Sequence, residues 1–124
     1  MISKDELNQL GDIVNYTWGI GQEDHTRSLT CSLNNDLLLV KFQTVVHFAS
    51  EHALQQQVDR LVDESTQIIS GKVDHTKKRY KEVAGKSLAL EEIDNKDSIE
   101  LISTSVHNPR KVAIYRRNCI LRVQ

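Results

Sequence analysis

The chain has little of what breaks or staples a backbone. One proline and five glycines in 124 residues exclude collagen-like and linker-rich organisation. The two cysteines, Cys31 and Cys119, stand 88 positions apart, which excludes a disulfide framework and a zinc finger or ribbon. Each sits in an apolar–polar alternation, where a free cysteine acts as a small hydrophobe. Aromatic residues make up only 5%, so stacking platforms for single-stranded nucleic acid are scarce. The longest aliphatic run, residues 37–40, is far short of the roughly 20 apolar residues that span a bilayer. The opening Met1-Ile2-Ser3-Lys4-Asp5-Glu6 lacks the basic start and apolar stretch of a secretory signal. A cytoplasmic protein is therefore expected, with no membrane partner.

What is present fits one folded unit. The length suits a single domain over residues 1–124, and 39% hydrophobic with 27% charged residues is enough for a core. Net charge is −1 but unevenly placed. Residues 1–64 hold 4 Lys/Arg against 10 Asp/Glu, and residues 65–124 hold 12 against 7. Such a split marks either a charged partner surface or two halves that face each other, within one subunit or between subunits. The near-zero total favours facing halves.

Hydrophobic periodicity places the elements. Ser3 and Glu6 form a capping box, and Leu7, Leu10, Ile13, Val14 and Trp18 follow at helical spacing until Gly19 and Gly21. Residues 26–33 alternate, with Leu29, Cys31 and Leu33 on one side. After the turn residues Asn34, Asn35 and Asp36, a second strand over 37–48 puts Leu38, Val40, Phe42, Val46 and Phe48 on one face. Its other face mixes Leu37, Leu39 and Val45 with Lys41, Gln43 and His47. Ser50 is an N-cap, and the stripe Leu54, Val58, Leu61, Val62, Ile68, Ile69 continues in phase beyond Gly71 through Val73, Thr76, Tyr80 and Val83. A helix over 51–83 is about 50 Å long at about 1.5 Å per residue, against a radius of gyration of about 14 Å for a compact domain of this size. It must either kink at Gly71 or project and find a partner.

Three strand-like runs follow: one leading to Ile93, one over 99–106 and one over 112–123, divided by turn residues at 94–97 and 107–110. In the last run Val112 and Ile114 share one parity while Cys119, Leu121 and Val123 share the other. A bulge at 116–118 would put them on one buried face. The order is α-β-β-α-β-β-β. An α+β fold is expected, one antiparallel sheet with two helices packed on one face and the second helix long. Leu37, Leu39, Val45 and Ile102 are then left on the face the helices do not cover.

Chemical motifs are few. Gly85-Lys86-Ser87 resembles the end of a phosphate loop, but Tyr80 stands where that loop needs glycine and the segment runs from helix to strand. Gly19-Ile20-Gly21 follows a helix, unlike a dinucleotide fingerprint. None of His25, His47, His52, His75 and His107 has another histidine three or four residues away to share a metal. Asp24–His25 and Asp74–His75 are neighbours in sequence, which on a helix do not face each other. The acidic stretch Glu91, Glu92, Asp94, Asp97 and Glu100 lacks the glycine of a calcium loop. No catalytic, cofactor or metal site is assigned. Two basic clusters remain: Lys72, Lys77, Lys78, Arg79 and Lys81, and Arg110, Lys111, Arg116, Arg117 and Arg122. They define the alternative function, a nucleic-acid-associated protein with Lys77, Lys78, Arg79, Arg116 and Arg117 on phosphates. The isoelectric point near 6.5 stands against it.

The stretches Ser103-Thr104-Ser105-Val106-His107-Asn108-Pro109, Tyr115-Arg116-Arg117-Asn118 and Val14-Asn15-Tyr16-Thr17-Trp18-Gly19-Ile20-Gly21 resemble small uncharacterised proteins of large tailed phages. The resemblance implies no activity; it implies a virion or assembly component. The leading expectation is a non-enzymatic homo-oligomeric assembly module that joins copies of itself through Val73, Thr76, Tyr80 and Val83 on the long helix and Leu37 and Leu39 on the sheet. On that expectation Tyr80→Glu mainly dissociates the oligomer.

Overall fold

Both helices begin where a serine side chain satisfies a free backbone N–H, and the second ends on a glycine. The computed structural model describes residues 2–18, 27–102 and 111–124. Helix α1 is Lys4–Trp18. The Glu6 backbone N–H donates to Ser3 Oγ at 3.2 Å, and the Ser3 hydroxyl donates to the Glu6 carboxylate at 3.0 Å. Helix α2 is Glu51–Ala84, with Ser50 Oγ accepting from the Ala53 N–H at 3.1 Å. Gly85 closes it at φ 72, donating its N–H to the Lys81 carbonyl at 2.9 Å. A positive φ there suits glycine because no Cβ meets the carbonyl.

Strands β1 (Arg27–Asn34) and β2 (Leu37–Phe48) form a hairpin. It turns at Asn35, φ 54, a conformation that asparagine tolerates better than most residues. Strands β3 (Leu90–Ile102) and β4 (Lys111–Val123) complete a four-stranded sheet of order β1-β2-β4-β3, every neighbour antiparallel. The fold is α+β with element order α-β-β-α-β-β. Among the described residues it has one strand fewer than the sequence predicts. Residues 94–97, expected as a turn, lie inside β3, because the unbroken β4 pairs with them: Asp94 opposite Ile120, Asp97 opposite Arg117. Sheet pairing overrides local turn preference here. The bulge expected at 116–118 is also absent. The β2–β4 register runs without a shift, and the irregularity falls in β3 between Glu92 and Asp94. The predicted turn at 107–110 lies outside the described residues.

One face of the sheet holds Leu38, Val40, Phe42 and Val46 of β2 and Ala113, Tyr115, Cys119 and Leu121 of β4, all buried. Leu10, Ile13, Val14 and Trp18 of α1 and Val58, Leu61 and Ile69 of α2 join them in one core. Helix α2 does not kink, and the partner of its far half is α1 of the same chain. It runs without interruption through Gly71, where an added Cβ would meet open space. Its 34 residues span about 51 Å, while strands of 12 and 13 residues span about 40 Å. The sheet is nearly as long as the helix, and α1 covers the rest. No helix among the described residues is long and apolar enough to cross a membrane.

Candidate functional site

The helix stripe expected to meet a second copy meets α1 instead. Thr76 and Tyr80 are each 1% exposed. Trp18 Nε1 donates to Thr76 Oγ1 at 3.0 Å, which in turn donates to the Lys72 carbonyl at 2.8 Å. Lys72 Nζ reaches the Thr17 carbonyl at 3.1 Å. The Tyr80 hydroxyl donates to the Glu6 carboxylate at 3.1 Å, and Lys86 Nζ lies 3.4 Å from the same carboxylate. These contacts put Thr76 and Tyr80 inside the subunit, so they are corrected from interface to core. Val73 is half-buried beside a cleft of about 340 Å³ whose lining includes Ile69, Leu90, Cys119 and Leu121. Val83 alone of the four is exposed.

Part of the charge split resolves at this helix pair, where acidic α1 meets the basic half of α2. The Ser3 hydroxyl, then the Tyr80 hydroxyl, then the Lys86 ammonium hold the Glu6 carboxyl below its usual range. Burial and then the Glu6 carboxylate push the Tyr80 phenol up. A depressed carboxyl stabilises the fold above its unfolded pKa, and the contribution is lost as pH falls through the folded value. Acid titration from pH 5 downwards, followed by circular dichroism, is therefore expected to weaken α1 docking in the native chain. Glu6→Gln should flatten that dependence; an unchanged acid profile would show that Glu6 plays no such part.

The two thiols are chemically quiet. Burial pushes Cys31 up to about 12 and raises Cys119 as well, and thiols without thiolate character are poor nucleophiles. Both lie opposite Val40, one strand to either side of it.

The nucleic-acid candidates do not share one surface. Arg116 and Arg117 are consecutive on β4 and point to opposite sheet faces. Arg117 is on the helix side, donating to Asn95 Oδ1 at 2.8 Å and the Val62 carbonyl at 3.1 Å. Arg116 is on the other side, donating to Gln43 Oε1 at 2.9 Å and the Glu100 carboxylate at 2.6 Å. Arg79 lies over the Tyr16 ring, 5.6 Å from its centroid, and 3.4 Å from Glu82. Lys77 and Lys78 are on α2, half-buried and exposed respectively. Of the histidines, His47, His52 and His75 are exposed; His25 and His107 lie outside the described residues.

The sheet face that neither described helix covers, the helix-free face, is where unused apolar surface collects. Across β2, β4 and β3 its side chains fall in rows set by the register: Leu37, Arg122, Glu91; Leu39, Ile120, Asp94; Lys41, Asn118, Lys96; Gln43, Arg116, Ser98; Val45, Ile114, Glu100; His47, Val112, Ile102. Two apolar islands result. Leu37, Leu39 and Ile120 form one, and Val45, Ile114, Val112 and Ile102 form the other. The polar rows between them hold the Gln43–Arg116–Glu100 hydrogen bonds. Every island residue except Ile102 is half-buried, and Ile102 is 42% exposed. Beyond Ile102 the apolar surface wraps the sheet end into a groove of about 470 Å³ between Ile99, Leu101, Phe48 and Leu54. The sequence identified Leu37, Leu39, Val45 and Ile102 but assigned Val112 and Ile114 to the buried side, with Cys119, Leu121 and Val123, and did not place Ile120. The signal that places them is the parity break within 112–123. Val112 and Ile114 oppose the face of Tyr115 and Leu121, with no bulge needed.

No protein-family model, no curated protein and no solved structure matches this chain.

Proposed function

We propose that the chain is a non-enzymatic assembly module that associates with further copies of itself through the helix-free face of its sheet. The observation that carries this reading is the pair of apolar islands on that face. An antiparallel sheet with one side in water ordinarily alternates cleanly between apolar and polar residues. Here β2 and β4 keep leucine, isoleucine and valine on both sides. A role as a virion or assembly component, as the phage resemblance implies, needs a surface of this kind.

Val45→Lys with Ile120→Lys puts one charge in each island. Light scattering behind a sizing column is expected to show the native chain as a multiple of 14.2 kDa at micromolar concentration and the double variant at a lower mass, with circular dichroism unchanged. Equal masses for the two proteins would refute the face as the contact.

A further inference from the structure

The two outer strands of the sheet are not protected alike. An edge strand offers a row of unpaired N–H and C=O groups, and charge, proline or a bulge normally blunts it. Strand β3 has such devices: a register irregularity between Glu92 and Asp94, and Glu91, Glu92, Asp94, Lys96, Asp97 and Glu100 along its length. Strand β1 has none of them from Ser28 to Leu33. That stretch reads Ser-Leu-Thr-Cys-Ser-Leu, with neither charge nor proline, in an eight-residue strand whose register with β2 is unbroken. No described strand lies beyond it.

We propose that the outer edge of β1 pairs antiparallel with β1 of a second copy, about a two-fold axis through Cys31, so that the sheet continues across both subunits. The proposal rests on the reading of the chain as a self-assembling module and adds a second surface to it. Self-pairing about Cys31 is complementary on both faces. On the helix side Leu29 falls opposite the second copy's Leu33, and Cys31 opposite its own counterpart. On the helix-free side Thr30 falls opposite Ser32, and Ser28 opposite Asn34. Such cross-strand pairs are the unit of sheet stabilisation. A two-fold axis normal to the sheet also keeps both helix layers on one side. There, the half-buried Leu29, Cys31 and Leu33 gain cover where the core thins towards the edge. Charge excludes the competing edge, because β3 against β3 would set a mostly acidic strand against itself.

Thr30 and Ser32 are exposed in the subunit, so both accept charge without disturbing the core. The test is made in the Val45→Lys/Ile120→Lys background, which removes the face contact. There the edge pair is expected as a dimer of twice 14.2 kDa by light scattering. Adding Thr30→Asp with Ser32→Asp sets acid opposite acid and should return a folded monomer. Adding Thr30→Asp with Ser32→Lys sets acid opposite base in this register and should keep the dimer. Hydrogen exchange of the β1 amides should slow with concentration in the dimer-forming chains only. A background chain that is monomeric, or an Asp/Asp chain whose mass does not fall, overturns the edge pairing. A background chain of unchanged native mass that falls to monomer with Asp/Asp overturns the face reading and upholds the edge.

Discussion

Tyr80→Glu is expected to unfold the subunit. The ring is 1% exposed in the angle between α1 and α2. Its hydroxyl donates to Glu6, which already accepts from Ser3 and Lys86. Glutamate would remove the ring from the core, leave a cavity and put a second carboxylate beside Glu6. Truncating a buried aromatic costs about 3–5 kcal/mol, and a buried unpaired charge adds several more. The sum, above about 5 kcal/mol, reaches the whole stability of a small domain. Two companions separate the causes in urea denaturation. Tyr80→Phe keeps the ring and loses only a charge-assisted hydrogen bond, about 1–3 kcal/mol. Val83→Glu, on the same helix at a position 47% exposed, should change stability by less than about 0.5 kcal/mol. A folded Tyr80→Glu monomer would show that this contact does not hold the helices together.

That outcome is the reverse of what the sequence predicts for Tyr80, and the reason is informative. The stripe from Leu54 to Val83 was legible as one apolar helix face, and it is one. Periodicity reports that a face is covered; it does not say by what. The spacing of Leu10, Ile13, Val14 and Trp18 predicts a helix but not what it packs against. Their partner, the far half of α2, could be found only by folding α1 back across the chain. The β3–β4 pair failed for a related reason. Asp94, Asn95, Lys96 and Asp97 are good turn residues in isolation, but β4 pairs with β3 along twelve positions that include all four of them. The expected bulge at 116–118 assumed that apolar means buried under the helices. Once Val112 and Ile114 are allowed onto the other face, β4 is regular. The misplaced bulge and the two missed residues of the second apolar island, Val112 and Ile114, are one error. The edge of β1 was legible too, as a run without charge, but only the strand order makes it an edge.

Tyr115→Ala is expected to destabilise the chain by about 3–5 kcal/mol, the largest effect of any single truncation within the sheet. Tyr115 is 0% exposed at the centre of β4, a central strand. Its ring meets Phe42 of β2 edge-on, with centroids 6.3 Å apart and planes at 66°. Arg27 lies over the other participant, 5.5 Å from the Phe42 centroid, and pairs with Glu64 of α2. The group ties β1, β2 and β4 to the long helix. Removing the Tyr115 ring takes away burial and the edge-to-face contact together. The hydroxyl matters little. Its bond to Asp97 is long, 3.4 Å, so Tyr115→Phe should cost less than about 1 kcal/mol. The same denaturation series distinguishes the roles of ring and hydroxyl. If Ala and Phe variants are equally unstable, the hydrogen bond to the outer strand carries the stability, and the aromatic pair does not. With the ring as anchor, β2 and β4 are held in one unshifted register. That register sets the two islands on the opposite face in rows, as the proposed contact between copies requires.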